Sequence, residues 1–248
     1  MMRKIVRLER DTIVEAVFEV RFEGINKTLA DLLPGILFAE FKDRSPKALR
    51  TPTSDVPREM QHADETLRYL PRQGLEIGAF RVLVGDYAAL VSNRRPYVGW
   101  KQFKRMIVDV LGHLQRSELI TSIERCSLKY VNLIQNKGTF KEQFSPVKLS
   151  AMLGQRDLTQ FLTIVRTEIH EQGMLNIVEL SPGTKVTLPG AGSAEEGLMV
   201  AVDTLNTSVA EFWANQDAIL DRTHDVEKSI YFDILTKETL SALGPVYE

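Results

Sequence analysis

Two cations on a predicted strand near the middle of the chain are the first residues that could do chemistry. Arg125 and Lys129 share one face of this strand, and Asn132 follows them. Together they could bind a phosphate or carboxylate group, with bidentate contacts from the Arg125 guanidinium. The alternative is structural, because Glu15 and Glu19 of another long strand could pair with these cations across the sheet. We favour the structural interpretation and keep Arg125, Lys129 and Asn132 as candidate ligand-binding residues.

His224, on a predicted C-terminal helix, is the fourth candidate ligand-binding residue. Asp221, His224, Asp225 and Lys228 are spaced i, i+3, i+4 and i+7, so they share one helix face. That spacing suits an acid–base pair or part of a metal site, but a metal would need two further ligands. The other histidines lack ligand spacing, so we predict no metal and no cofactor; they are His62, His113 and His170.

A basic and aromatic group before and within another predicted helix could contact nucleic acid. Its members are Arg94, Arg95, Tyr97, Lys101, Lys104 and Arg105. A tyrosine ring can stack on a base while cations meet the phosphates. The interpretation we favour is that the lysines and Arg105 form the solvent-facing side of an amphipathic helix.

The sequence contains none of the familiar catalytic or nucleotide-binding motifs. Gly-x-Gly-x-x-Gly, Gly-x-x-x-x-Gly-Lys-Ser/Thr, Gly-x-Ser-x-Gly, His-Glu-x-x-His and Cys-x-x-Cys do not occur. The single cysteine, Cys126, alternates in phase with Leu128 and Tyr130, so we expect a buried, unreactive thiol. We therefore assign no catalytic residue and expect no enzymatic activity.

Composition and charge narrow the class of protein. Of 248 residues, 44% are hydrophobic and 26% charged, as in globular proteins, and no apolar run is long enough to cross a membrane. The N-terminus lacks the apolar segment of a signal peptide, so we expect a cytoplasmic protein. Residues 1–125 hold 21 basic against 17 acidic residues, and residues 126–248 hold 10 against 16. A basic first half could face nucleic acid, but we favour halves that complement each other or a second subunit.

The fold that must position these residues runs twice through a similar pattern of strands and helices. Each pass opens on a long alternating strand, Ile13–Phe22 or Ile123–Ile134, and closes on an amphipathic helix, Trp100–Leu114 or Ser208–Leu235. The intervening elements are predicted as follows. The first pass contains a helix from Leu29 to Phe41, with Pro34 in its first two turns, and then a long exposed loop over Asp43–Asp64. Three strands follow, Glu65–Pro71, Leu75–Val84 and Tyr87–Ser92, and the last two are joined by a tight hairpin at Gly85-Asp86. The second pass contains a short helix from Ser145 through Met152 and the strands Gln160–Glu171, Met174–Leu180 and Gly197–Leu205. A turn at Gln172-Gly173 joins the first two strands, and a loop over Ser181–Glu196 separates the last two. A last helical turn, capped by Thr236, follows the closing helix.

The predicted fold class is therefore α+β. Duplicated β-α-β-β-β-α units form a largely antiparallel sheet with helices packed on one face. The two repeats are residues 1–120 and 121–248, and we expect them to share one core.

Several sequence strings resemble a sporadically distributed prokaryotic protein family of about this length, for which no activity is established. They are Ile13-Val-Glu-Ala-Val-Phe-Glu-Val-Arg-Phe, Leu33-Pro-Gly-Ile-Leu, Pro96-Tyr-Val-Gly-Trp-Lys-Gln-Phe, Glu124-Arg-Cys-Ser-Leu-Lys-Tyr-Val-Asn, Asp203, His224 and Tyr231-Phe-Asp-Ile-Leu-Thr. The family's motif has the form Arg-x-Gly-Leu-Arg-Tyr-x-Asn, and this chain departs from it at Ser127 and Lys129. Lysine cannot supply the planar fork of arginine, so the resemblance does not imply a guanidinium at this position. It implies an accessory gene, of the kind found in phage-defence or toxin–antitoxin settings.

These observations predict a non-enzymatic binding or interaction protein whose sheet, or a groove between its halves, takes a protein or a small ligand. A homodimer formed through an exposed sheet edge fits the same prediction. One alternative is a nucleic-acid-binding protein that uses the basic first half. The other is an enzyme with a site around Arg125, Lys129 and Asn132.

Overall fold

The computed structural model describes residues 5–187 and 193–247. Within this part of the chain the fold is α+β, with six α-helices and a nine-stranded antiparallel sheet. The helices are α1 (Leu29–Glu40), α2 (Arg58–Ala63), α3 (Trp100–Arg116), α4 (Phe140–Phe144), α5 (Phe212–Ile234) and α6 (Lys237–Leu243). The strands are β1 (Ile5–Leu8), β2 (Ile13–Gly24), β3 (Lys47–Arg50), β4 (Gln73–Ile77), β5 (Phe80–Val84), β6 (Ala88–Arg94), β7 (Ile120–Gln135), β8 (Met152–Leu153), β9 (Arg156–Asp157), β10 (Val165–Glu171), β11 (Met174–Val186), β12 (Glu195–Asn206) and β13 (Pro245–Tyr247).

The strand order of the large sheet is β10-β11-β12-β7-β2-β6-β5-β4-β3, and two small sheets pair β1 with β13 and β8 with β9. In each predicted pass the first strand lies beside the last strand, since β2 neighbours β6 and β7 neighbours β12. A duplicated unit would give this order. Superposition of the two passes is the direct test of the duplication, which stays a prediction, as does the division into repeats at residues 120 and 121.

The chain forms two compact units. The first contains the described residues of 1–15, 129–204 and 225–248, and the second contains residues 16–128 and 205–224.

The second unit has its core between its strands and the helices α1 and α3. Alternate residues of β2 are buried, as the sequence predicted; they are Ala16, Phe18, Val20 and Phe22. The predicted apolar stripe of α3 is buried as well, except for Trp100 at its start, which is half-buried. The buried members are Phe103, Met106, Ile107, Val110, Leu111 and Leu114. The helices α1 and α3 contact each other, and both lie against strands of the β4–β6 group. Pro34 lies in the second turn of α1, as predicted.

The first unit buries a core between its sheet strands and the C-terminal helices. Its members include Val178 and Leu180 of β11, Leu198, Val200 and Val202 of β12, and Ile230, Tyr231, Leu235 and Leu243 from the C-terminal part of the chain. Thr236 caps α6 by accepting a hydrogen bond from the Thr239 backbone N–H, and Gly244 ends that helix in the left-handed conformation. The prediction of a capped last helical turn is confirmed.

The predicted loop over residues 43–64 was wrong, because this segment contains β3 and α2. Its conformation depends on hydrogen bonds to residues outside the segment or further along it, and the segment has no apolar period that could have predicted a helix or strand. Gln61 Nε2 donates to the Leu70 carbonyl at 2.6 Å, and Arg72 Nη1 donates to the Val56 carbonyl at 3.0 Å. These contacts join residues 9 and 16 positions apart and follow no helix or strand period.

Three further predictions of local structure were wrong. Residues 65–71 form turns instead of a strand, because the Asp64 carboxylate accepts from the Thr66 backbone and hydroxyl groups. The predicted strand over 75–84 is split at Gly78, whose φ of 59° makes the turn between β4 and β5.

The third error concerns the helix predicted to begin at Ser145. The helix α4 lies earlier, at Phe140–Phe144, because Thr139 and Glu142 form a capping box. Val147 then forms an antiparallel bridge with Leu235, which ends any continuation of the helix. The loop predicted over 181–196 is shorter, since β11 extends to Val186, and part of that loop lies outside the described residues.

Candidate functional site

The structure brings two of the predicted candidate groups together beside α3. His224 of α5 lies flat on Trp100, with ring centroids 4.2 Å apart and an interplanar angle of 8°. Trp100 Nε1 donates to Asp221 Oδ1 at 3.1 Å, and Lys104 Nζ donates to Asp221 Oδ2 at 2.9 Å. His224, proposed for ligand binding, and Lys104, proposed for nucleic acid, therefore belong to one cluster.

A shallow groove of about 400 Å³ opens beside this cluster, and its charges balance. Its lining includes the cations Lys101, Lys104 and Arg105 and the carboxylates Asp109, Asp217 and Asp221. Partial burial acts to lower the pKa of Lys104, but hydrogen bonds to Asp217 and Asp221 outweigh it and raise the pKa. Lys104 is thus held charged against two carboxylates, while Lys101 and Arg105 are exposed, as a solvent-facing helix side requires. This balance does not favour a polyanion as the ligand of the groove.

The remaining nucleic-acid candidates lie on the segment between β6 and α3. Arg94 is exposed at the end of β6, Arg95 is half-buried, and the Tyr97 ring packs edge-on against Phe103 at 6.1 Å. The buried Asn93 side chain accepts from the Val98 backbone N–H at 3.0 Å and so fixes the course of this segment.

Arg125 is engaged in the cross-strand pair that the structural interpretation predicted. Its Nη2 lies 3.0 Å from Glu19 Oε1, which also accepts from Arg21 Nε at 2.7 Å. The Arg21 guanidinium lies over the Tyr69 ring, 3.8 Å from its centroid. Arg125 is therefore part of an ionic and aromatic surface of the second unit.

Asn132 belongs to a buried hydrogen-bond relay in the first unit. The Thr12 hydroxyl donates to Asn132 Oδ1 at 2.9 Å and is 2.9 Å from the Tyr231 hydroxyl. Burial raises the pKa of Tyr231, so it stays a neutral donor. Asn132 is 2% exposed and Lys129 is half-buried, so the relay is closed to solvent while the lysine is not.

A cluster around Asp86 was not predicted, because this residue was interpreted only as part of a turn. The Asp86 side chain is 2% exposed, lies 2.8 Å from His62 Nε2 and 3.0 Å from Arg58 Nε, and accepts from the Ala30 backbone N–H at 3.0 Å. Arg58 also makes two hydrogen bonds of 2.9 Å to Asp31, which lower the pKa of that carboxyl group. Because Arg58 and His62 belong to α2 and Ala30 belongs to α1, the cluster ties α1, α2 and the β5–β6 turn together.

A second group that the sequence did not single out is Glu227 of α5. Its side chain is buried in the first unit, and burial raises the pKa of its carboxyl group well above the usual value. The positive charge of Lys228 opposes this shift and the negative charge of Asp203 adds to it. Among the described residues there is no group of three or more histidine, cysteine or acidic side chains that could hold a metal ion.

A cluster of exposed apolar side chains precedes β10, and we call it the apolar segment. Its members are Met152, Leu153, Phe161, Leu162 and Ile164, which are 58, 63, 51, 66 and 64% exposed. Large apolar side chains exposed singly are ordinary, but five within thirteen consecutive residues form an unusual surface. Their exposure was not predicted, because Met152 was assigned to a helix and Phe161 to a strand.

The apolar segment is held by its own hydrogen bonds. Met152 and Leu153 form β8, which pairs with β9. The Asp157 carboxylate accepts from the Thr159 hydroxyl at 2.6 Å and from its backbone N–H at 3.0 Å, and the hydroxyl bond is the largest cause of a lowered pKa for Asp157. Thr163 Oγ1 donates to the Leu158 carbonyl at 2.9 Å. The apolar side chains are therefore presented on an ordered scaffold.

The strand β10, which follows directly, is at one end of the nine-stranded sheet. In the described part of the chain it pairs only with β11, from Val165 opposite Leu180 to Glu171 opposite Met174. The turn between them is the predicted Gln172-Gly173, with φ of 54° and 74°. The opposite edge, β3, is only four residues long with a basic residue at each end, as protected edges are. The longer β10 edge lies next to the apolar segment.

No protein-family model matches the chain, and no curated protein matches it. The family resemblance therefore stays an expectation. None of the described helices has the length and apolar character needed to span a membrane.

Proposed function

We propose that this protein is a non-enzymatic interaction protein that binds a protein partner through the apolar segment and the adjoining edge of β10. The observation that carries the proposal is the exposure of five large apolar side chains on an ordered scaffold. Removing such a side chain fully from water is worth about 1.5–3 kcal/mol. A partner that covered several of them would gain enough to offset the entropy lost on association.

Order in the apolar segment supports the proposal because a preorganised surface loses less conformational freedom on binding. The edge strand adds a second mode of recognition, in which an extended segment of the partner continues the sheet through main-chain hydrogen bonds. The groove beside Trp100 and the cluster around Asp86 offer weaker support for a ligand. In the groove Lys104 is already paired with Asp221, and in the cluster Arg58 is already paired with Asp86.

The test is capture of binding proteins from a lysate of the producing cells, quantified by mass spectrometry, with the tagged chain as bait. The double variant Leu153→Glu/Leu162→Glu places two charges on the apolar segment at side chains that contribute little to the core. The matched control is Ile25→Glu, which changes an apolar side chain of similar exposure, 58%, in the other unit.

We expect one or more proteins, the chain's own untagged copy included, to be captured by the wild type and the control and lost from the double variant. Circular dichroism should show that all three baits are folded. A set of captured proteins that is the same for wild type and double variant would refute the proposal.

A further inference from the structure

We propose that the protein bound at the β10 edge is a second copy of this chain, paired antiparallel about Thr167. The inference rests on the proposed function and names its partner. A two-fold axis through Thr167 places Arg166 opposite Glu168 of the partner subunit and Val165 opposite Ile169 of the partner subunit. Both facing pairs recur on the other side of the axis, because the interface of a two-fold dimer is self-complementary.

The charge pattern of β10 is what selects this partner and this register. The strand reads Val165-Arg-Thr-Glu-Ile-His-Glu, so one face carries Val165, Thr167 and Ile169 and the other carries Arg166, Glu168 and His170. Opposite charges directly across a pair of strands stabilise it, and like charges destabilise it. In the register about Thr167, Arg166 and Glu168 each face an opposite charge, and this pair occurs once on each side of the two-fold axis.

Neighbouring two-fold registers are worse. An axis through Glu168 sets two glutamates against each other, and an axis through Arg166 sets two arginines against each other. An axis through Ile169 runs the pairing into the Gln172-Gly173 turn, whose positive φ angles cannot continue a strand. The axis through Thr167 instead extends the pairing toward Ile164.

The apolar side chains agree with the same register. Val165 and Ile169 are half-buried and pack against the core of their unit, so their pairing would continue that core across the interface. Ile164, which is 64% exposed, would come opposite His170 of the partner subunit and lose much of its exposure. Along an edge strand, the backbone N–H and C=O groups of every second residue point outward. Thr167 can face its copy in either case, because antiparallel strands alternate between hydrogen-bonded and non-hydrogen-bonded residue pairs.

The experiment is a charge-swap series measured by sedimentation equilibrium over a range of protein concentrations. Arg166→Glu and Glu168→Arg each place like charges opposite one another at two symmetric positions, whereas the double variant Arg166→Glu/Glu168→Arg restores attraction. Within one chain Arg166 and Glu168 form an exposed ion pair of 2.9 Å, which contributes little to folding, so the single variants should fold. The matched control is Arg81→Glu, which disrupts the 2.8 Å pair with Glu76 in the other unit.

We expect the wild type to dimerise, each single swap to raise the dimer dissociation constant by about tenfold or more, and the double swap to recover the wild-type value. Arg81→Glu should leave the dissociation constant unchanged. A monomer at every concentration, single swaps without effect, or a double swap that fails to recover each overturns the inference.

This outcome is distinguishable from failure of the proposed function. If the chain is monomeric but another protein is still captured in a way that depends on Leu153 and Leu162, only the inference about the second copy fails. If no captured protein depends on those residues and the chain is monomeric, both fail.

Discussion

Replacement of Glu227 by glutamine should change how the stability of the protein depends on pH. The Glu227 residue is 4% exposed, and burial raises the pKa of its carboxyl group in the folded state well above 4.5, its usual value. In the unfolded chain the group is solvated and titrates near that usual value. Between these two pKa values the folded state binds a proton that the unfolded state does not.

The sign follows from this difference in bound protons. Stability contributed by the protonated carboxyl group is fully present below pH 4.5 and is lost as the pH rises toward the folded-state pKa. One proton corresponds to a slope of about 1.4 kcal/mol per pH unit. Glutamine has nearly the same shape and does not titrate, so Glu227→Gln should lack this loss.

The assay is urea unfolding of wild type and Glu227→Gln at pH values from 4 to 8, followed by circular dichroism. We expect the stability of the variant relative to wild type to rise with pH above 4.5, with a slope of up to about 1.4 kcal/mol per pH unit until the folded-state pKa is reached. Glu238→Gln, at an exposed position of α6, is the control and should show no such trend. A difference between Glu227→Gln and wild type that is independent of pH would show that Glu227 titrates alike in both states and would refute the reasoning.

Two other predictions follow from buried groups. Burial raises the pKa of Cys126 to about 12, so at pH 8 its thiol should react with an aromatic disulfide reagent only after unfolding in urea; prompt reaction of the folded protein would contradict its burial. Thr12→Val should leave the buried Asn132 and Tyr231 side chains each short of a hydrogen-bond partner and lower the free energy of unfolding by about 1–3 kcal/mol. The measurement is urea unfolding, with Thr121→Val at an exposed position as the control. Equal stability of the two variants would show that these hydrogen bonds do not stabilise the fold.

The elements with a strong local period were predictable from sequence. Apolar residues recur in β2 with the period of a strand, and in α3 and α5 with the period of a helix. Each period places the apolar side chains on one side of its element, and that side is the one that can be buried. The antiparallel α+β class followed from the order of these elements, and the pairing of Arg125 with Glu19 followed from two long strands with complementary charges. The duplication, the cytoplasmic location and the protein partner remain predictions.

Only the tertiary structure showed the conformation of segments that lack an apolar period, and only it showed which apolar side chains are exposed. The helix α2 is held through Gln61, which bonds to the Leu70 carbonyl and to Arg72. The carboxylate of Asp86 meets partners from 24 to 56 positions away along the chain. The exposure of Leu153, Leu162 and Ile164 could not be foreseen either, because an apolar residue looks the same in sequence whether a neighbouring strand covers it or not. Sequence determined which residues must leave water to form the core, since that depends on local period. Which apolar residues stay exposed depends on where the sheet ends, and the sheet ends at β10.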